Sequence, residues 1–586
     1  MTTLLQLTFP RTLAEWVTRF STPEWRGATL EGWLFEDATA RRAAEAHLQR
    51  AGVRATLRSA YKPLVHFFLE EVDCAQVTSA VITYPVHADA PARRFVLEAY
   101  PLAAMLPLCT PVFVAGNGEL HYKIALTFDD GRMQETTVFA PNRVHVDHIG
   151  ATLLSPTGWL RATSPVAGVP QLDTAEQTDY EQLFQQVLQL AQLHPWPAQE
   201  PYFDRLDIRV DLPGGEQPTP LTTEVISRHE GLHEDLYFSL MEVFQKRSGR
   251  AEGDRRLQPG QIVPDVRFTM GAPRLRVSLG SFDNTAQDAR GATPAEPFGE
   301  PLDTIGHPPA PAKIASLMHE LGGELFTATT RQGRTVLGLN QTGRGVPVLV
   351  SGGQHANETS GVVGALRAAQ HLKKVRSAFA LIALENPDGY ALHRELRVQH
   401  PGHMHHAARY SALGDDIEYR DGAPLFERTA RERALALSGA QLHINLHGYP
   451  AHEWTRPLTG YVPRGFELWT IPKGFFLILR HQPGWATECR ALLEAVCLAL
   501  LKVPGLPEYN ARQMALYRQH AGELPFEILH GTAFTQTETT RPGAPVTLIT
   551  EFPDETVEGD AFRFAHTVQM QTVLAAAAAW QPLARR

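Results

Sequence analysis

Cysteine is scarce in this chain. Among 586 residues there are four, Cys74, Cys109, Cys489 and Cys497, and no Cys-x-x-Cys pair. Such sparse, irregular spacing gives no disulfide framework. Cys489 and Cys497 fall in one predicted helix, too far apart along its axis to bridge. All four thiols are expected to be reduced and buried. An excess of positive charge is also lacking. The formal net charge is -9, so no global basic field draws the protein to nucleic acid. Long apolar runs are missing as well. The longest, Leu102 to Gly116, is broken by Pro107 and Pro111 and is too short to span a bilayer, so no membrane partner is expected. Met1 to Pro10 has neither a basic start nor an extended apolar core. No secretory signal is expected there, and the expected location is cytoplasmic. No internal repeat is present, and nothing in the sequence speaks to oligomeric state.

What is present is enough chain for several cores, about four domains or fewer, larger ones. Residues 1–165 are predicted as an N-terminal α+β domain, with a helix over Thr39 to Gly52 and strands over Val77 to Tyr84 and His121 to Phe128. Residues 166–310 form an intermediate region. It has a helix from Thr174 to Leu193, another from His229 to Ser248, and a linker from Thr285 to Pro311 that holds six prolines. Residues 311–586 alternate strands and helices and end in a helix over Asp560 to Trp580. That alternation predicts an α/β fold, a mostly parallel mixed sheet flanked by helices.

Chemistry concentrates in this last region. Val346 to Ser351 reads as a buried strand, followed by a glycine turn, His355-Ala-Asn-Glu358, and a helix to Lys374. About ninety residues on, Leu442-His-Ile-Asn-Leu-His447 reads as a second strand ending in a histidine. A zinc hydrolase needs three N/O ligands and an open fourth position for water. His355, Glu358 and His447 supply the three, for one Zn2+ per chain. A metal-activated water still needs a base, and Glu551 lies at the end of the apolar run 544–550, where such sheets form their crevice. A developing oxyanion needs a fixed positive charge. Arg409 is the first choice and Arg397 its competitor.

The stretches His355-Ala-Asn-Glu358, Glu385-Asn-Pro-Asp-Gly-Tyr390, Leu446-His-Gly-Tyr449 and Thr550-Glu-Phe-Pro553 occur in an order that resembles the zinc carboxypeptidase family of the A/B type. The likeness runs from about Pro311 to the C-terminus. The Arg409-Tyr410 pair and the acidic stretch after it also resemble the related desuccinylase and aspartoacylase branch. The resemblance implies that Glu551 is the general base, that Arg409 stabilises the oxyanion, and that a tyrosine closes over the substrate, with Tyr509 and Tyr517 as candidates. It also implies an Asn-Arg pair for the substrate's C-terminal carboxylate. Here the chain departs from the pattern. In Asp415-Asp416-Ile417-Glu418-Tyr419-Arg420, Glu418 falls on the Asn and Tyr419 on the Arg, with Arg420 one place beyond. Either Glu418 repels a substrate carboxylate, or Arg420 does the clamping after a one-residue slip. The leading expectation is a zinc-dependent metallopeptidase acting on peptide bonds. The alternatives are a deacylase of N-acyl amino acids and a binding protein on a peptidase fold.

Other histidines compete for attention. His443 shares a strand face with His447 and reads as a core residue behind the site. His400, His403, His405 and His406 make a loop that suits a second metal or simple solvation. His229-Glu230-Gly231-Leu232-His233 fits the helical His-Glu-x-x-His pattern. Gly231 weakens that helix and no third ligand is near in sequence, so a helix N-terminus is the plainer reading. Thr127 to Gly131 resembles a deacetylase motif and is better explained as a turn between strands. The segment between His447 and Glu551 is rich in aromatics, Trp454, Tyr461, Phe466, Trp469, Phe475, Phe476 and Trp485 among them, mostly core by expectation.

Overall fold

A computed structural model describes residues 1–148, 150–221, 225–282, 300–450, 468 and 471–585. The linker residues 285–299 and the aromatics Trp454, Tyr461, Phe466 and Trp469 lie outside the described residues. The C-terminal region is built on a nine-stranded mixed sheet. Its spatial order is Glu324–Thr329, Thr335–Gln341, Ser377–Ile382, Arg344–Gly352, Leu442–Tyr449, Val546–Pro553, Phe476–His481, Thr532–Glu538, Glu527–Leu529. The four strands from Ser377–Ile382 to Val546–Pro553 are mutually parallel. Antiparallel pairings lie to either side of them.

The central strands are buried because both faces are covered, and their polar side chains gather toward one end. All eight residues of Leu442–Tyr449 are buried. Strand alternation sends Val348 and Val350 to one face, against Val362, Leu366, Val568 and Val573 of the helices Ser360–Lys374 and Gly559–Trp580. Leu349 turns to the other face, against Ala430 and Ala434 of the helix Arg428–Ser438. Cys489 and Cys497 are free and buried in the helix Ala486–Leu500, whereas Cys74 and Cys109 are only partly buried. Among the described residues no helix is long and apolar enough to cross a membrane.

The boundary expected near residue 165 does not separate two bodies. The first strand, Thr2–Thr8, pairs with Arg274–Gly280, and Gly158–Thr163 joins Thr29–Leu34 to Leu172–Glu176 in one sheet. One apolar cluster runs from Phe9 to Val277 and takes in Leu392, Leu396 and Met404 of the C-terminal region. The helix expected from Thr174 starts at Asp179 instead, since residues 172–176 are claimed by strand pairing. Its start is set by a capping box between Thr178 and Glu181. The Asp129–Gly131 segment is a turn between the strands His121–Phe128 and Met133–Phe139, with Gly131 at φ 80°.

A tight helix contact sits behind the site. A Cβ on Gly364 would lie 2.5 Å from Gln569 Cβ. Gln569 in turn donates to the His447 carbonyl at 2.8 Å and accepts from Thr550 Oγ1 at 2.6 Å. Gly364→Ala is expected to lower stability by about 1–3 kcal/mol through overpacking. Thermal melting checks this, and an unchanged Tm would mean the two helices separate freely.

Candidate metal centre

Three adjacent strand ends deliver the site. The Arg344–Gly352 strand turns at Gly353, whose φ of 63° suits glycine. A side chain there would also meet Leu384 at 2.8 Å. The turn places His355 and Glu358 just ahead of the helix Ser360–Lys374. His447 stands on the neighbouring strand, two residues before its end. His355 Nδ1 lies 2.8 Å from Glu358 Oε1, His447 Nδ1 lies 3.0 Å from Glu358 Oε2, and the two Nδ1 atoms are 3.1 Å apart. All three side chains are buried. Tetrahedral zinc at about 2.0–2.1 Å from nitrogen separates neighbouring donors by about 3.3 Å. The three donors therefore need move only slightly to hold the ion, and the donor set N, N, O is one zinc accepts. The residues fit the group.

The surroundings orient these donors. His355 Nε2 faces Asp416 Oδ2 at 3.4 Å, which leaves Nδ1 to the metal side. Gln354 Nε2 donates to Asp416 Oδ1 at 3.0 Å, and Asn445 donates to Gln354 at 3.0 Å. Ser351 Oγ joins Asn445 to His443 Nε2 at 2.7 Å, so His443 lies behind the centre in a polar floor. Gly448 N–H donates to Glu358 Oε2 at 3.0 Å. A side chain on Gly448 would collide with Asp554, which itself accepts from Ser360 N–H at the start of the helix.

Glu551 is directly paired with His447 in the parallel ladder, which puts both side chains on one face. It is buried, and its Oε2 has no hydrogen-bond partner among the described residues. Burial, with the nearby Glu358 charge, pushes its carboxyl well above the usual range against the pull of Arg409 and Lys473. For Glu358, burial would raise the pKa, but His355, Arg409 and His447 outweigh it and hold the carboxyl well below the usual range. Arg409 reaches the centre from the turn His406–Ala408, where Nη1 pairs with Glu358 and lies 3.3 Å from Glu555 Oε1. The Arg409 backbone is tied to Asn386 Nδ2 at 3.4 Å, and Asn386 also caps the helix Pro387–Arg397 through Gly389 N–H. The competitor, Arg397, pairs with Glu558 nearer the surface.

The specificity residues stand differently from expectation. Glu418 is ion-paired with Arg431 and has Arg480 at 3.9 Å. Its charge is therefore compensated, and the repulsion argued from an unpaired Glu418 loses its basis. Arg420 is not presented to the site. It is buried in pairs with Asp415, at 2.6 Å, and Glu427, with Ser411 Oγ at 2.8 Å. The one-residue slip is thus closed off by an internal network. Tyr419 lies between two guanidinium groups, Arg255 at 5.2 Å and Arg541 at 4.0 Å from its ring. Tyr509 stacks on Phe552, and Tyr517 is buried beside Tyr100 and Ile471. Sequence reasoning missed Gln354, Glu385, Arg431 and Arg480. Arg431 comes from the middle of a surface-patterned helix, and no local signal marks it.

No protein-family model and no curated protein matches the sequence. The chain is similar to solved structures at low identity. A metallo-carboxypeptidase from Pseudomonas aeruginosa, in complex with (2-guanidinoethylmercapto)succinic acid, is 14% identical with a TM-score of 0.30, over 54% of this chain and 74% of that one. A metallo-carboxypeptidase from Burkholderia cenocepacia is 12% identical with a TM-score of 0.29, over 54% and 74%. The carboxypeptidase A from Helicoverpa armigera is 11% identical with a TM-score of 0.32, over 65% and 98%.

His447→Ala is expected to lower the zinc content of the purified chain by one equivalent, while Glu551→Gln keeps the wild-type content. Elemental analysis checks both, and full zinc in His447→Ala would end the assignment of this centre.

Proposed function

We infer that the chain is a zinc-dependent metallopeptidase of the carboxypeptidase kind, hydrolysing a peptide or amide bond. The observation that supports this reading best is the convergence of His355 Nδ1, Glu358 and His447 Nδ1 within 3.1 Å of one another, with Glu551 on the same sheet face. Zinc bound there supplies Lewis acidity and lowers the pKa of water. The residues around it divide the remaining work. Glu551 takes a proton from the attacking water and passes it to the leaving nitrogen. Its burial suits a group that must be neutral in one half of the cycle and charged in the other. Arg409, held by Glu358 and Glu555, balances the charge that grows on the carbonyl oxygen.

A second reading, a deacylase of N-acyl amino acids, is favoured by Glu418 and Tyr419 standing where the resembled family has its Asn-Arg pair. Both readings share one view of the pocket wall. Arg431, shared with Glu385, and Arg480 face Glu418, while Arg541 and Arg255, the latter paired with Asp416, flank the neighbouring Tyr419, so guanidinium groups outnumber carboxylates there. Such a wall favours an acidic group on the substrate.

Activity on a panel of free-acid peptides, amidated peptides and N-acyl amino acids separates the readings. Inactivity of the zinc-loaded chain on all of them would leave only the binding-protein alternative. Glu551→Gln is expected to lower kcat by a factor on the order of 100 or more with the fold intact. Arg409→Ala is expected to lower kcat/KM about 100-fold. A crippled Arg397→Ala beside a near-normal Arg409→Ala would reverse the choice between them. Arg480→Ala is expected to raise KM for acidic substrates roughly tenfold with little change in kcat. Equal KM for acidic and amidated substrates in the wild type would remove the basis for an anionic specificity.

A further inference from the structure

Two histidine motifs that lie about 170 residues apart in the sequence meet in the fold. The helix Arg228–Ser248 carries His229 and His233, and it packs under the loop that carries His400, His403, His405 and His406. Its carboxylates shape that loop. Glu230 Oε1 accepts from Met404 N–H at 2.7 Å, and Glu234 Oε1 accepts from His406 N–H at 3.2 Å.

The outer end of this junction has the donor set of a metal site. Glu216, His400 and His403 each offer one ligand atom, and these atoms all lie within 4.8 Å of one another. The His400 and His403 rings are stacked 4.3 Å apart at 5°. Glu216 Oε1 is 2.6 Å from His403 Nε2, with Ser227 Oγ at 3.1 Å from the same nitrogen. His400 Nε2 donates to the Val266 carbonyl at 2.7 Å, which leaves its Nδ1 as the lone-pair nitrogen. A second, independent feature faces the same place. His229 lies edge-on to His400 at 5.8 Å, and its Nε2 is buried with no hydrogen-bond partner among the described residues. Its other ring nitrogen is held by the Pro213 carbonyl. A buried imidazole with one nitrogen fixed by a carbonyl and the other unpaired among the described residues is the arrangement of a ligand awaiting an ion.

We propose that Glu216, His400 and His403, with His229 beside them, form a second zinc-class metal site, separate from the His355, Glu358, His447 centre. The donors are two imidazoles and a carboxylate, which suit zinc better than calcium or magnesium. Its role is structural. The ion displaces the proton shared by Glu216 and His403 and ties residues 216, 400 and 403 together. The tied loop is the one that leads within six residues to Arg409.

The test is metal content of the full chain, purified, exchanged to remove loosely held ions and measured by elemental analysis. The wild type is expected to hold two zinc equivalents. Glu216→Gln and His400→Ala are each expected to hold one, and His447→Ala one. The double variant His447→Ala with His400→Ala is expected to hold none. Glu216 is 43% exposed, so its Gln variant should fold even where a histidine variant does not. Cobalt loaded into His447→Ala reports on the second site alone, and its visible absorption is expected to vanish on adding Glu216→Gln. One equivalent in the wild type and none in His447→Ala would overturn the second site and leave the first standing. Residual metal in His447→Ala that neither Glu216→Gln nor His400→Ala removes would overturn the ligand assignment. Two equivalents in His447→Ala would instead count against the first centre, so the two claims fail separately.

Discussion

Arg409 carries the positive charge that lets Glu358, Glu551 and Glu555 share one buried pocket. Removing a carboxylate from water costs several kcal/mol unless it is paired or protonated. Three of them together would repel one another and force protons on. The pKa directions divide them accordingly. Glu358, next to Arg409 and the two histidines, is held ionised. Glu551 and Glu555 are pushed upward, mainly by burial. A metal ion would add charge on the side of Glu358 and Glu551, where Arg409 alone is spread over several partners. The guanidinium and an ion held there would be two halves of one compensation.

The same requirement explains why the N-terminal region is not an appendage. Glu555 Oε2 is 3.9 Å from His406 Nε2, and His406 Nδ1 is 2.9 Å from Glu234 Oε2 on the helix Arg228–Ser248. A buried polar chain thus continues from the nine-stranded sheet through one imidazole into the N-terminal core. The apolar contacts agree, since Met404, Ala407 and Ala408 belong to the same cluster as Leu232 and Leu236. A helix that sequence alone presents as a zinc-protease look-alike is in the fold a wall behind Arg409.

Legibility followed the range of the interactions. The strand–turn–helix around His355 and the strand carrying His447 are local patterns, fixed by glycine geometry and apolar runs, and both were readable. The identity of Arg409 over Arg397 was only a choice in the sequence, because nothing local tells which arginine folds inward. The clamp residues failed for the same reason. Glu418 and Arg420 stand two residues apart in sequence, yet Arg420 is absorbed by Asp415 and Glu427 and Glu418 by Arg431, thirteen residues on. Domain division failed where pairing was longest in range, as Thr2–Thr8 on Arg274–Gly280 has no marker at either end. The polar floor of Ser351, Asn445, Gln354 and Asp416 was hidden because each member looks like an ordinary polar residue until two strands and a distant loop come together.

One local feature ties these threads together. His405 sits at φ 53°, in the left-handed region that a non-glycine residue occupies at a cost of order 1–3 kcal/mol. The conformation persists because the residues on both sides are fixed. Met404 N–H is held by Glu230 and His406 N–H by Glu234, both on the buried helix, and His405 Nε2 donates to the His400 carbonyl at 2.8 Å. The twist at His405 turns the chain so that His406 enters the turn His406–Ala408 and Arg409 leaves it pointing at Glu358. The direction of the guanidinium is thus set by carboxylates in the first two turns of a helix from another part of the chain. Loss of either carboxylate would free the backbone on one side of His405, while His355, Glu358 and His447 keep their own strand-end positions.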